Sequence, residues 1–482
     1  MEGTGTDFLS LDVRAVPRGR VTEELVRRLR EAVADARLAP GDALPPSRVL
    51  AADLGVSRGV VVEAYRRLAD EGLVAARTGS ATRVLAGAVP RGPAPPAPPP
   101  EVEPESGFPR EPARLPLRTT GVEFTLAPGV PDLAAFPRAA WLRAERAVLQ
   151  RAGATDLGYG DPRGHPRLRA ELAGWLARTR GLRVDAEDVV VVAGVAQSLA
   201  LLARVLHARG ERRIGVEDPG SRGARDELAH WGLEPEPVPV DADGVRVDAL
   251  AAAGVGSVLL TPAHQFPTGV VLAPHRRREL LAWARGGGLV VEDDYDAEHR
   301  YDRAPVPALH ASAPERVAHT GSTSKTLAPA VRIGWLIAPP ALRAELVAAK
   351  HASDLGTPAL LQLVLAELLA GGDLERHVRR VRARHRARRD ALLAALHRHL
   401  PAARVQGVAA GLHLLALLPH LEPGADVEVA ARAAEAGVLV HPLSWHRVRP
   451  GPPGLVLGYA ATAPDALDEA VRRIAPLVSA RR

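Results

Sequence analysis

An acidic run, Glu292-Asp293-Asp294, closed by Tyr295, precedes the stretch Ser322-Thr323-Ser324-Lys325, and Arg332 follows. Acids at the end of a strand are ordinarily a loop start or a helix cap. A lysine with an upstream aspartate and a downstream arginine has a more specific use, because the three together meet the needs of pyridoxal phosphate. The lysine amine condenses with the aldehyde as a Schiff base. A carboxylate keeps the pyridine nitrogen protonated, so that the ring accepts electrons. Hydroxyls and a planar guanidinium hold the phosphate.

All but two of the 62 basic residues are arginine, and the exceptions are Lys325 and Lys350. Arginine replaces lysine wherever a positive charge suffices. It does not replace an imine-forming amine, because the guanidinium stays protonated and is a poor nucleophile. Lysine retained at position 325 therefore points to chemistry. Lys350, in "ELVAAKHAS", reads as a chance survivor.

Positioning such groups needs a sheet. Four short apolar runs, "VVVVAG", "RIGVED", "SVLLTP" and "LVVEDD", alternate with helical segments. That is the α/β pattern with a mainly parallel sheet, which binds ligands beyond the strand C-terminal ends. Ahead of it, residues 87–116 are proline-dense and read as an extended linker. The expected domains are 1–86, 87–120 as linker, and 121–482.

The N-terminal part predicts three helices and a hairpin. Residues 21–36 carry a helical apolar stripe. Ser47 is expected to cap a helix over 48–54 that stops at Gly55. Ser57 is expected to cap another helix ending near Glu71, before Gly72. Two short strands should then flank Thr78-Gly79-Ser80. Two helices joined by a tight glycine turn, with an arginine-rich second helix, form a helix-turn-helix, and the hairpin forms its wing. Arg48, Arg58, Arg66, Arg77 and Arg83 fall where phosphates and base edges would lie. The competing reading is a helical dimerisation module with no DNA contact.

Composition narrows the field. The chain has 482 residues, 46% of them hydrophobic, a net charge of +6 and no cysteine. Disulfides, thiolate metal sites and a cysteine nucleophile are excluded. The charge permits nucleic-acid binding without proving it. No signal-peptide pattern or long uninterrupted apolar run is found, so a cytoplasmic protein with no membrane partner is expected. No HExxH motif occurs, and no metal site is expected. The basic stretch 375–390 suits a solvated amphipathic helix better than a second DNA site. His397 and His399 read as surface histidines.

The stretch "LPPSRVLAADLGVSRGVVVEAYRRLADEGLV" resembles the winged helix of GntR-type bacterial regulators. That resemblance implies that Arg48, Ser57 and Arg58 face double-stranded operator DNA and that the loop at Gly79 enters the minor groove. From about Phe124 onward the chain resembles fold-type I aminotransferases, with large and small domains. The motifs "FTLAPGVPDLAAFPRAAWLR", "LGYGDPRGHPRLR", "TPAHQFPTGV", "EDDYD" and "STSKTLAPAVRIG" appear in family order. With the winged helix in front, nearly the whole chain resembles the MocR/GabR-type regulators, whose members include controllers of vitamin B6 synthesis. The resemblance implies that Lys325 carries pyridoxal phosphate, Asp293 meets the pyridine nitrogen and Tyr295 the ring hydroxyl. It implies that Ser322, Ser324, Arg332 and the loop Gly194, Val195, Ala196 hold the phosphate, at a helix N-terminus. Tyr159 matches the tyrosine that reaches the neighbouring subunit's phosphate, which implies a homodimer with shared active sites, and the homodimer is expected to exchange N-terminal domains head to tail.

Several positions depart from the aminotransferase pattern. The "GSQQ" phosphate loop is "GVAQ", ending at Gln197, so hydroxyl help is lost. The stacking aromatic after "DPG" is Ser221. The asparagine before "PTG" is Phe266, for which His264 or Gln265 are expected to substitute. The arginine that grips a substrate carboxylate aligns with Val456. The expected function is a transcription regulator that senses a small-molecule effector, pyridoxal phosphate itself or a small amine or amino acid, through its aminotransferase-like domain. Pyridoxal phosphate is the favoured effector, and Arg222 is the candidate carboxylate partner otherwise. The alternatives are an active aminotransferase with an accessory DNA-binding domain, against which Val456 argues, and a regulator that has lost the cofactor.

Overall fold

A computed structural model describes residues 16–17, 20–35, 37–75, 81–85, 121–302 and 306–479. The chain divides into two compact units, residues 1–106 and 107–482. Arg77, Gly79 and the linker at 87–120 lie outside the described residues.

In the first unit, α1 (Val21–Ala34), α2 (Ser47–Leu54) and α3 (Arg58–Asp70) precede strands β1 (Val74–Ala75) and β2 (Arg83–Val84). The strands pair antiparallel, Val74 opposite Val84. Leu25 and Leu29, from the helical stripe over residues 21–36, fill one core with Leu50, Val61, Ala64 and Leu68. Gly55 closes α2 at φ 63°, a left-handed conformation that suits glycine. The start of α2 differs from expectation. Pro46 is its cap and Ser47 is already helical. Proline sits readily at such a boundary because it needs no N–H partner there. The Ser47 hydroxyl faces Arg58 Nε at 3.4 Å instead.

The second unit opens with β3 (Phe124–Thr125), α4 (Arg138–Arg151), α5 (Ala154–Leu157) and α6 (Pro166–Arg180). There follow β4 (Val189–Val192), α7 (Val195–Ala208), β5 (Arg213–Asp218), α8 (Arg222–His230), β6 (Glu234–Asp241), β7 (Gly244–Val245), α9 (Val247–Ala252) and β8 (Ser257–Leu260). Next come α10 (Pro274–Arg285), β9 (Leu289–Asp293), β10 (Val317–Ser322) and β11 (Gly334–Ile337). The large sheet runs β4-β11-β10-β9-β8-β5-β6-β7. Strand β11 is antiparallel to both neighbours, and the strands from β10 to β6 are parallel. All four valines of β4 are buried, the signature of a strand covered on both faces.

Three helices, α11 (Pro340–Asp354), α12 (Ala359–Ala370) and α13 (Asp373–His399), lead to a smaller layer. It holds β12 (Arg404–Gln406), β13 (His413–Leu417), α14 (Ala425–Glu435), β14 (Val438–Leu439), β15 (His441–Pro442), β16 (Gly454–Gly458) and α15 (Pro464–Ser479). Its sheet runs β12-β13-β16-β15, while β14 pairs with β3. Helix α13 is amphipathic as expected. Leu374, His377, Val381, His385, Leu392 and Leu396 are buried at helical spacing, and Arg376, Arg379, Arg380, Arg384 and Arg386 are exposed.

Candidate functional site

Asp293 ends β9 and lies opposite Thr320 of the parallel strand β10. Strand β10 ends at Ser322, and the turn after it carries Ser324 and Lys325. Two adjacent strand ends thus bring the carboxylate and the amine to the same edge of the sheet. The Lys325 ammonium donates to the Gly129 carbonyl at 2.6 Å. Burial pulls its pKa below the ordinary lysine value, against the pull of Asp296 and Asp293. Asp293 Oδ1 is buried without a hydrogen-bond partner. Burial, and then repulsion from Asp294 and Asp296, pushes the Asp293 carboxyl up to about 8.

Tyr295 and His264 meet across the site. The Tyr295 hydroxyl lies 3.1 Å from His264 Nδ1, and Asp296 Oδ2 lies 2.9 Å from the same nitrogen. Burial opposes ionisation of Asp296, yet His264 and then His413 hold its pKa below the ordinary value. A Cβ at Gly411, φ 74°, would fall 2.1 Å from His264 Cε1, so only glycine leaves room for this ring. Asp296, His264 and His413 bring one ligand atom each within 4.8 Å of one another. Motif scanning missed this triad because its members are dispersed along the chain. Of the two expected substitutes for the asparagine, His264 reaches Tyr295. Gln265 is committed elsewhere, donating to the Pro219 carbonyl and accepting from Thr268.

Gly194 and Arg332 lie together at the start of α7. Helix α7 starts at Val195 after Gly194, whose φ is 97°. Arg332 adopts φ 50°, and a Cβ added to Gly194 would meet its Nη1 at 3.3 Å. The guanidinium is exposed and has no carboxylate partner among the described residues. The Ser322 hydroxyl accepts from the Ser324 amide at 3.3 Å. Tyr159, between α5 and α6, is 93% exposed.

Val456 is fully buried and clusters with Leu415 and Leu443, with Phe266 packed against them. His441 pairs with Val456 across the sheet. Burial drives the His441 ring down to about 4 and His446 well below its ordinary value, so neither is a cation at neutral pH. Ser221 caps α8, its hydroxyl accepting from the Ala224 amide. Arg222, the candidate carboxylate partner, lies 3.6 Å from Asp226 in its own helix. Arg225, one turn on, is buried but donates to the carbonyls of Gly220, His446 and Trp445.

Lys350 corrects an expectation. It is fully buried, and its ammonium donates to Asp354 Oδ2 at 2.6 Å and Thr357 Oγ1 at 3.1 Å. A buried charge with two specific partners is no chance survivor.

On the first unit, Arg48, Ser57 and Arg58 are exposed on α2 and at the start of α3. Arg83 is exposed and donates to the Gly41 carbonyl. Arg66 differs from the others, because Glu63 and Asp70 pair with it from the same helix face. Val49 and Val62 are about half exposed, at 49% and 47%. Sequence reading passed over both, although an exposed methyl on such a helix suits contact with a thymine methyl group.

Residues 21–84 match the model of bacterial regulatory proteins of the gntR family, and residues 124–474 match aminotransferase class I and II. The pyridoxine biosynthesis transcriptional regulator PdxR of Corynebacterium glutamicum is 35% identical over 95% of this chain and 96% of its own. The chain belongs to the HTH-type regulators that join a gntR-family domain to an aminotransferase class I and II domain. Within this regulator family, the probable rhizopine catabolism regulatory protein MocR of Rhizobium meliloti is 32% identical over 94% of this chain and 92% of its own. Among solved structures, the α-aminoadipate aminotransferase LysN of Thermus thermophilus, complexed with N-(5'-phosphopyridoxyl)-L-leucine, superposes with a TM-score of 0.66 at 29% identity. It covers 74% of this chain and 92% of its own. The fold is therefore the fold-type I aminotransferase architecture behind a winged helix. No helix among the described residues is long and apolar enough to cross a membrane.

Proposed function

We propose that this protein is a transcription regulator that binds operator DNA through residues 1–86 and senses pyridoxal phosphate through residues 121–482, with 87–120 as the linker. The observation that carries the sensor reading is Asp293, whose buried Oδ1 has no hydrogen-bond partner and whose carboxyl feels the charge of Lys325. A carboxyl kept neutral by burial and like charges gains a partner when a cationic ring sits against it. The other groups fit the same ligand. Arg332 and the N-terminus of α7 offer a guanidinium and free amides to a phosphate. Tyr295, held by His264, offers a hydroxyl to the ring oxygen.

When bound, pyridoxal phosphate supplies an aldehyde, a cationic ring and a visible absorption band. The chain's own contribution is position and proton state. Burial lowers the Lys325 pKa, which favours the free nucleophilic amine. Asp296 orients His264, and His264 orients the Tyr295 hydroxyl. Arg332 and Gly194–Ala196 fix the anionic end, with Ser322 and Ser324 beside them.

The effector is the cofactor itself, as the resemblance to the pyridoxine biosynthesis regulator suggests. The position at which aminotransferases grip a carboxylate holds Val456, in one apolar cluster with Phe266. A carboxylate pressed against them would lose its hydration without gaining a cation. Exposed Tyr159 supports a homodimer in which each subunit completes its partner's phosphate site. Binding at a shared site then shifts the pair of winged helices relative to the DNA half-sites. The absorption spectrum of purified protein, with and without added pyridoxal phosphate, tests the cofactor step. A visible band is expected in the wild type and absent in Lys325→Ala, and its absence in both would contradict the reading.

A further inference from the structure

The second lysine stands at one end of a hydrogen-bond chain that leads into the anion site. Its ammonium shares Asp354 Oδ2 with the Gln197 side chain, whose Nε2 donates to the same oxygen at 2.8 Å. Gln197 Oε1 accepts from the Ala193 amide at 2.8 Å. The Gln197 side chain thus spans residues 193–197, the turn that contains Gly194, Val195 and Ala196. On the far side, Lys350 also donates to Thr357, whose hydroxyl reaches the Val191 carbonyl of β4 at 3.3 Å. Asp354 Oδ1 accepts from the Gly356 amide at 2.9 Å. The strand before the turn and the turn itself are therefore both tied to one buried ammonium.

Lysine rather than arginine fits this place. The ammonium is a compact charge with freely rotating donors, and from a fully buried position it satisfies two oxygens, one buried on Thr357 and one near the surface on Asp354. A guanidinium would bring five donors in a rigid fork and leave several unpaired. The same arginine bias that exposed Lys325 thus had a second physical reason to spare Lys350.

We propose that Lys350 is a positioning residue for the phosphate-binding turn, acting through Asp354 and Gln197 to hold the amides at Gly194–Ala196 ready for a phosphate monoester. The loop has no hydroxyl of its own between Gly194 and Gln197, so its hold on phosphate rests on the backbone. A turn that binds by amides alone loses affinity when it is free to move. Lys350 restrains it from outside, without touching the ligand. This inference rests on the cofactor reading above.

The test titrates pyridoxal phosphate and, separately, pyridoxal into full-length wild type, Lys350→Met and Gln197→Ala, following the visible band. Each variant is compared with wild type for the same ligand. Freeing the turn predicts about a tenfold weaker affinity for pyridoxal phosphate and little change for pyridoxal. Gln197→Ala breaks the chain at its part-exposed end, so it reports even where Lys350→Met fails to fold. Equal losses for both aldehydes, or none for either, would overturn the role of Lys350 while leaving the cofactor reading in place. Wild type that binds neither aldehyde would remove both.

Discussion

Phe266 and Val456 come from different domains of the aminotransferase fold and pack into the same small apolar cluster with Leu415 and Leu443. In the aminotransferase pattern Phe266 stands for an asparagine and Val456 for the arginine that grips a carboxylate. Here both are apolar together, and the nearby rings of His441 and His446 are neutral.

Restoring the charge alone should therefore harm the protein. Val456→Arg buries a guanidinium against Phe266, Leu415 and Leu443 with no carboxylate supplied. Unfolding free energy, from urea denaturation, is expected to fall by at least about 3 kcal/mol. A variant of unchanged stability that begins to convert amino acids to keto acids would show that the site lacks only its cation.

Asp293 makes stability depend on pH. Its folded carboxyl is pushed up to about 8 from 3.8, mainly by burial. The folded state therefore binds this proton more tightly than the unfolded chain does. The resulting stabilisation is present below the unfolded value and is lost as pH rises through the folded one. Asp293→Asn removes that penalty. Its melting temperature without cofactor should match wild type near about pH 4 and exceed it increasingly toward about pH 8, while its affinity for pyridoxal phosphate falls. A difference that shrinks with rising pH would show that the carboxyl is not held neutral.

The DNA face separates two arginines, Arg58 and Arg66. Arg58→Ala should weaken operator binding by about 1–3 kcal/mol if it reads a base, and by less if it meets phosphate alone. Arg66 already has Glu63 and Asp70 as partners. Arg66→Ala is expected to cost less than Arg58→Ala in a mobility-shift titration at fixed salt. The reverse order would misplace the recognition helix.

How much of this was legible in the sequence follows from distance along the chain. Lys325 showed itself by composition and Asp293 by its strand-end position, and both lie on the expected sheet edge. The strands and helices were visible because burial imposes their periodicity. The partners of Arg66 were legible too, since Glu63 and Asp70 stand at helical spacing from it. The contact of His264 with Tyr295 and Asp296 was not, because it spans the turn after β8 and the end of β9. The chain from Lys350 to Gln197 was hidden for the same reason, crossing from α11 to α7. No local pattern announces a hydrogen bond between elements that only the fold brings together.

Whether pyridoxal phosphate is the signal is tested by titrating the cofactor into cofactor-free protein on labelled operator DNA. Pyridoxal phosphate alone should change operator affinity or site preference in wild type, and Lys325→Ala should blunt that change while keeping the DNA binding of the cofactor-free form. No change with pyridoxal phosphate alone, but a change once an amino acid is added, would contradict the claim and make the amino acid the effector.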